Sequence, residues 1–135
     1  MTQLKQTLFT TSMEARDHEC DIQGVVNNAH YQHYFEHARH QFLLKNGIDF
    51  AELAKQNINL MVSHIEINYK SSLKAHDRFY ISVQAIQVSK LKVRFEQKLY
   101  LEKTQQLMAI ANTTVVPVGA FSKPLKNSPL HTLFS

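Results

Sequence analysis

A single cysteine, Cys20, leaves the chain no intrachain disulfide and points to a reducing compartment. Three glycines and three prolines leave little room for long irregular loops. No linker, internal repeat or low-complexity tract is visible. No apolar run approaches the roughly 20 residues of a membrane span. Residues 1–6 lack the apolar centre of a signal peptide, so a cytoplasmic protein is expected. The lysines are scattered and no block of like charges occurs. There is no arginine-rich stripe and no zinc-finger or RNA-binding signature, so nucleic acid is not the expected partner. The net charge of +4 suits a small polyanion equally well.

What is present is enough for a packed core. Hydrophobic residues make up 44% of the 135, with 8 Phe and 5 Tyr, and one domain over residues 1–135 is the economical reading. Residues 7–16, with Leu8, Phe9, Thr10 and Thr11, read as an extended strand. Residues 17–24 are polar and hold a turn. Residues 28–46 read as a helix: at about 100° per residue, Tyr31, Tyr34, Phe35, Ala38 and Phe42 share one face. Asn27 or Asn28 is its natural N-cap, and Gly47 a natural stop. Residues 49–56 give a second, short helix capped by Asp49.

Beyond Asn57 the period changes to that of strands, over residues 58–72, 78–88, 91–101 and 107–118. The third alternates most cleanly. Leu91, Val93, Phe95, Leu99 and Leu101 face one way, and Lys92, Arg94, Glu96, Lys98 and Glu102 the other. The links at 74–77 and 89–90 are short, which predicts antiparallel hairpin neighbours. Residues 123–135 form a tail with weak signals. The order β, long helix, short helix, four β is an α+β pattern, with one sheet wrapped around the long helix.

The stretch most suggestive of chemistry runs from Asp21 through Gly24, Val25, Val26, Asn27 and Asn28 to Tyr31. An acidic residue ends an extended segment, a glycine follows, and two asparagines open an aromatic-rich helix. That order sets a carboxylate beside the free N–H groups of a helix start, an arrangement suited to hydrolysis of an activated acyl group. Taken alone, Asp21 is also a plausible turn or cap residue, and Gly24 a plain source of positive φ.

The pattern D-x-x-G-x-V-x-N-x-x-Y…E-x-A-R resembles the active-site segment of hotdog-fold acyl-CoA thioesterases of the 4-hydroxybenzoyl-CoA thioesterase-like family. Arg16, Glu19 and Asp21 are similar to the family's strand end. Gly24, Val26, Asn28, Tyr31, Glu36, Ala38 and Arg39 match its loop and helix. Asn68-Tyr69, Asp77 and Lys123-Pro124 are weaker matches. The resemblance implies a hotdog fold, with an antiparallel five-stranded sheet around one long central helix. It implies Asp21 as the catalytic carboxylate, attacking the thioester carbonyl or activating water. The backbone N–H of Asn28 would be the oxyanion donor, aided by the loop at Gly24 and Val25. Val25, Val26, Tyr31 and Tyr34 would line the substrate site. Some relatives carry His at the positions of Val25 or Asn28. This chain carries it at neither, which implies a scheme of aspartate plus backbone donors, with no cofactor and no metal.

Other features have plainer readings. Glu36 and Arg39 are spaced for an i,i+3 pair. His30, His33, His37 and His40 fall within an arc of roughly 80° away from the aromatic face. His33 and His37 have i,i+4 metal-ligand spacing, but no H-E-x-x-H string accompanies them, and a solvated face or subunit contact is expected. Acyl-CoA is the implied substrate, acyl-carrier-protein thioester a variant. A non-hydrolytic acyl-binding module is the alternative. A hotdog hydratase would need a His–Asp or His–Glu pair, and the Asp-x-x-Gly block argues against it. Relatives pair as dimers or tetramers with sites between subunits, so a homodimer or homotetramer is expected, with residues 58–69 near the shared site.

Overall fold

The structure, a computed structural model, describes residues 2–3, 9–125 and 128–134. Two strands come first, β1 (Thr2–Gln3) and β2 (Phe9–Glu14), then a 3-10 turn at Asp17–Glu19. Two helices follow, α1 (Asn28–Lys45) and α2 (Phe50–Lys55). Four strands complete the sheet: β3 (Asn59–Tyr69), β4 (Arg78–Gln87), β5 (Val93–Leu101) and β6 (Leu107–Val118). Positions 7 and 8 of the expected first strand, and 126, 127 and 135 of the tail, lie outside the described residues.

Both helices begin where the sequence predicts and for the predicted reason. The Asn27 side chain accepts from the Ala29 N–H at 2.9 Å, and Asp49 does the same for Ala51 at 2.9 Å. α1 stops at Asn46, and Gly47 takes φ +79° just beyond it. Tyr31, Tyr34, Phe35, Ala38 and Phe42 are all buried, as their spacing predicts. They pack on Phe79, Ile81 and Val83 of β4 and on Phe95 and Leu99 of β5 in one core. α1, the longer helix, is not apolar enough to cross a membrane.

All pairings in the sheet are antiparallel. β1 and β2 lie along the same side of β4, so the sheet has five positions: β1/β2, β4, β5, β6, β3. The expected hairpin between the strands now named β3 and β4 does not form. β2 fills the free side of β4, with Phe9 opposite Val83 and Glu14 opposite Arg78. β3 pairs instead with β6 at the far edge, Asn59 opposite Val118 and Tyr69 opposite Ala109. Residues 70–77 are therefore a crossing loop rather than a tight turn.

The β4–β5 turn is also longer than expected. Val88, Leu91 and Lys92 belong to it, with the Val88 N–H donating to the Lys92 carbonyl at 3.0 Å. The tail is more structured than its sequence suggests. Ser128 caps a 3-10 turn at Pro129–Leu133, and Leu130 and Leu133 are buried. The Ser-Pro pair, cap then N1 proline, was the available signal.

Candidate active site

The crossing loop explains how the segment 21–28 is held. The Val26 N–H donates to the Leu73 carbonyl at 2.8 Å, and Val25 forms a bridge with Lys74. The Leu73 N–H in turn donates to the Tyr31 hydroxyl at 2.8 Å, in the core. Helix α1, the loop at 70–77 and the Asp21 turn are thus tied at one point. Burial pushes the Tyr31 phenol above its ordinary range, against the opposing pull of the Leu73 N–H, so it remains a neutral acceptor at Leu73. Tyr31→Phe is expected to leave that buried N–H unsatisfied and to cost about 1–3 kcal/mol. A lower urea midpoint at unchanged m-value is the readout.

Within the turn, the Gly24 N–H donates to the Asp21 carbonyl and the Asp21 N–H to the Val25 carbonyl, both at 2.9 Å. Gly24 sits at φ +78° with open space around its Cα, so the backbone angle, not crowding, favours glycine. Asp21 Oδ1 accepts from the Gln23 N–H at 2.9 Å and the Val25 N–H at 3.4 Å. Asp21 Oδ2 has no hydrogen-bond partner among the described residues. The side chain is exposed and lines an open cleft of about 220 Å³ with Val25, Val26, Asn27, Asn28 and Ser72. Ser72 arrives from the crossing loop, and nothing in the sequence linked it to Asp21.

The N–H groups beside this carboxylate are almost all engaged. Those of Gln23 and Val25 go to Asp21 Oδ1, that of Gly24 to the Asp21 carbonyl, and that of Val26 to Leu73. The N–H groups of Asn27, Ala29 and His30 go to the Glu19 carbonyl, the Asn27 side chain and the Asn27 carbonyl. Within residues 23–30 the Asn28 N–H alone has no acceptor among the described residues, and those of Ile22 and Ser72 nearby have none either. It opens α1, where the helix dipole adds partial positive charge.

The remaining sequence candidates sit apart from this cleft or play supporting parts. Val26 is buried, while Val25 is half-buried at the cleft wall. The Tyr34 hydroxyl donates to Glu19 Oε1 at 2.7 Å, and the same oxygen accepts the Arg16 N–H at 2.8 Å. Burial and that carboxylate push the Tyr34 phenol well above its ordinary range, so it stays protonated. Partial burial raises Glu19, but the Arg16 and Tyr34 donors together with the nearby His30 and His18 hold its carboxyl below the usual range. Tyr34 faces a separate cleft of about 430 Å³ that His33 and His37 also line. Among the described residues no three His, Cys, Asp or Glu side chains gather as a metal site.

The expected Glu36–Arg39 pair does not form. Arg39 is 7% exposed and turns from the helix into the sheet, where its Nη1 donates to Gln97 Oε1 at 3.2 Å and Thr113 Oγ1 at 3.5 Å. Gln97 Nε2 donates to the Phe35 carbonyl at 2.8 Å. Burial on the Phe35 side of α1 wins over a solvated ion pair that contributes little. The signal was there: Gln97 interrupts the apolar face of β5, and Arg39 follows Phe35 by one helical turn.

A model of the thioesterase-like superfamily matches residues 15–129. A chloroplastic acyl-acyl carrier protein thioesterase of Arabidopsis thaliana is 32% identical over 114 residues, 84% of this chain. The match spans only 60% of that relative's length. A long-chain acyl-CoA thioesterase of Escherichia coli is 31% identical over 106 residues, 78% of this chain and 80% of that protein. The crystal structure of a 1,4-dihydroxy-2-naphthoyl-CoA thioesterase from Synechocystis superposes with a TM-score of 0.89, over 95% of this chain and 96% of that one. Its identity is 18%, so this likeness speaks to the fold, which is the expected hotdog fold. With the family model over most of its length and two relatives above 30% identity, the chain belongs to the thioesterase-like superfamily.

Proposed function

We propose that the chain, as one domain, hydrolyses an acyl thioester to a free carboxylic acid and a thiol, with coenzyme A as the favoured thiol carrier. The observation that carries this reading is that Asp21, with Oδ2 unengaged, and Asn28, whose N–H at the start of α1 is unengaged, line one cleft. Asp21 Oδ1 is held by the turn, which leaves Oδ2 for chemistry. It attacks the thioester carbonyl or takes a proton from the attacking water. The carbonyl oxygen gains negative charge as the tetrahedral intermediate forms, and the Asn28 N–H and helix dipole stabilise it. Collapse expels the thiolate; after water attack this gives the free acid at once, and after direct attack it leaves a mixed anhydride on Asp21, which water then cleaves to the free acid and the regenerated carboxylate. Val25 and Val26 wall the cleft. Gly24 serves through its φ rather than its N–H, which the turn already uses. Tyr31 and Tyr34 brace the wall from behind.

The relatives' names support both an acyl-CoA and an acyl-carrier-protein thioester. A cytoplasmic location fits the lone cysteine. A homodimer or homotetramer completes the reading, because the long β3 edge is open in one chain. A second reading has its own observation. The two N–H groups on Asp21 Oδ1 make it a good turn residue, as a non-hydrolytic acyl-binding module would need. Release of free thiol from short, medium, long and aromatic acyl-CoAs decides between them. Turnover of at least one member is expected. Saturable binding without thiol release from any acyl-CoA or acyl-carrier-protein thioester would favour the binding module.

A further inference from the structure

A partly open pocket lies away from Asp21, between α1, α2 and the β3–β6–β5 part of the sheet. It measures about 60 Å³, and Leu43, Phe50, Leu60, Val62 and Phe95 give it apolar walls. A single water needs only ~10–15 Å³, so there is room for a small head group. Arg39 lines it. Arg39 is 7% exposed, and its two side-chain bonds, to Gln97 and Thr113, both leave from Nη1 and both reach neutral acceptors. Nε and Nη2 donate to nothing among the described residues, and no carboxylate there lies within 4.0 Å of Arg39. Burial lowers the Arg39 pKa, and Glu36, farther than 4.0 Å away at the mouth of the cavity, offsets this only through space, so the guanidinium is buried with no carboxylate bonded to it. His40 lines the same cavity; burial lowers its pKa, and its ring stacks on Phe50 with centroids 4.5 Å apart.

We propose that this cavity binds the carboxylate of an apolar monocarboxylic acid, head group on Arg39 and chain along the walls toward the open β3 edge. The Nε–Nη2 edge is the side of a guanidinium that takes a carboxylate through two parallel hydrogen bonds. The apolar walls select a hydrocarbon body over a multiply charged anion. Glu36 at the rim opposes further negative charge. The acid is either the protein's own hydrolysis product or the far end of a carboxyl-terminated acyl group. This site does not rest on the proposed hydrolysis, because its ligand is tested by binding.

The experiment is calorimetric titration of octanoate and 1-octanol into wild type, Arg39→Met, Arg39→Lys and Glu36→Gln. In wild type octanoate is expected to bind about tenfold or more tighter than the alcohol. Arg39→Met removes that preference while alcohol binding persists. Arg39→Lys, which keeps the charge but not the paired geometry, weakens octanoate by severalfold, and Glu36→Gln strengthens it. Equal binding of acid and alcohol to wild type overturns the proposal. So does full octanoate affinity in Arg39→Lys, the variant that keeps the test open should Arg39→Met fail to fold. Repeating the titration in an Asp21→Ala background, with methyl- and carboxyl-terminated octanoyl-CoA, separates the two sources. Tighter binding of the carboxyl-terminated thioester identifies an acyl end. Equal thioester binding, with the octanoate preference intact, identifies the product.

Discussion

Asp21→Ala is expected to lower thiol release by about 10²–10⁴-fold, the range that a positioned acid or base contributes. The loss should appear in kcat, with KM changed little, because the carboxylate acts on the reacting carbon rather than on the acyl chain. Asp21→Asn is the more discriminating variant. Its amide oxygen keeps an acceptor for the Gln23 and Val25 N–H groups, which now meet Oδ1 at 2.9 and 3.4 Å. The turn survives while the charge and the nucleophile are lost. If Asp21 is chemical, Asn and Ala fail alike. If Asp21 is positional, Asn retains most of the activity and Ala alone loses it. The exposure of the side chain argues that both variants fold, since neither change opens a cavity. Thermal melts of the two variants within a few degrees of wild type are the accompanying control.

Local signals proved legible where the physics is local. The Asn27 and Asp49 caps, the Gly47 stop and the buried face Tyr31–Tyr34–Phe35–Ala38–Phe42 each depend on residues within a turn or two of one another. The sequence also placed Asp21 and Asn28 at opposite ends of one short loop, and the chain cannot separate such near neighbours far. The misreadings all involve competition between distant segments. A short link predicts a β3–β4 hairpin, but β2 occupies that side of β4, and no property of residues 58–88 reveals it. Ser72 and Leu73 reach the Asp21 loop only because that hairpin does not form. Helix spacing alone pairs Arg39 with Glu36, because both lie on one helix. The partners that outcompete Glu36, Gln97 and Thr113, sit on strands β5 and β6. Pairing at long range is set by which buried polar groups need each other, and one helix read in isolation does not contain that information.

The last prediction tests whether the site needs a second chain. β3 runs for 11 residues at the sheet edge and, among the described residues, pairs only with β6. It contains no proline and no lysine, the residues that commonly protect an exposed edge. Met61 and Val62 are 47% and 45% exposed on it. In the proposed dimer, β3 would pair with β3 of a second copy, which would satisfy the free edge, cover those side chains and extend the sheet across a two-fold axis. Across a two-fold axis near Val62 position 61 of one copy faces position 63 of the other, so Met61→Lys/Ser63→Lys sets like charges against each other. Both positions are exposed, and the protomer is expected to keep its fold and circular dichroism spectrum. Sedimentation should show the oligomer reduced to monomer. Where the partner completes the substrate site, kcat/KM falls with it, since displacing a positioned substrate by about 1 Å is enough to lose on the order of 10²-fold. High salt screens the introduced charges and should restore assembly and activity together. A variant that sediments as a monomer and turns over at the wild-type rate would show that one chain holds the whole site, and the dimer would then be a matter of stability alone.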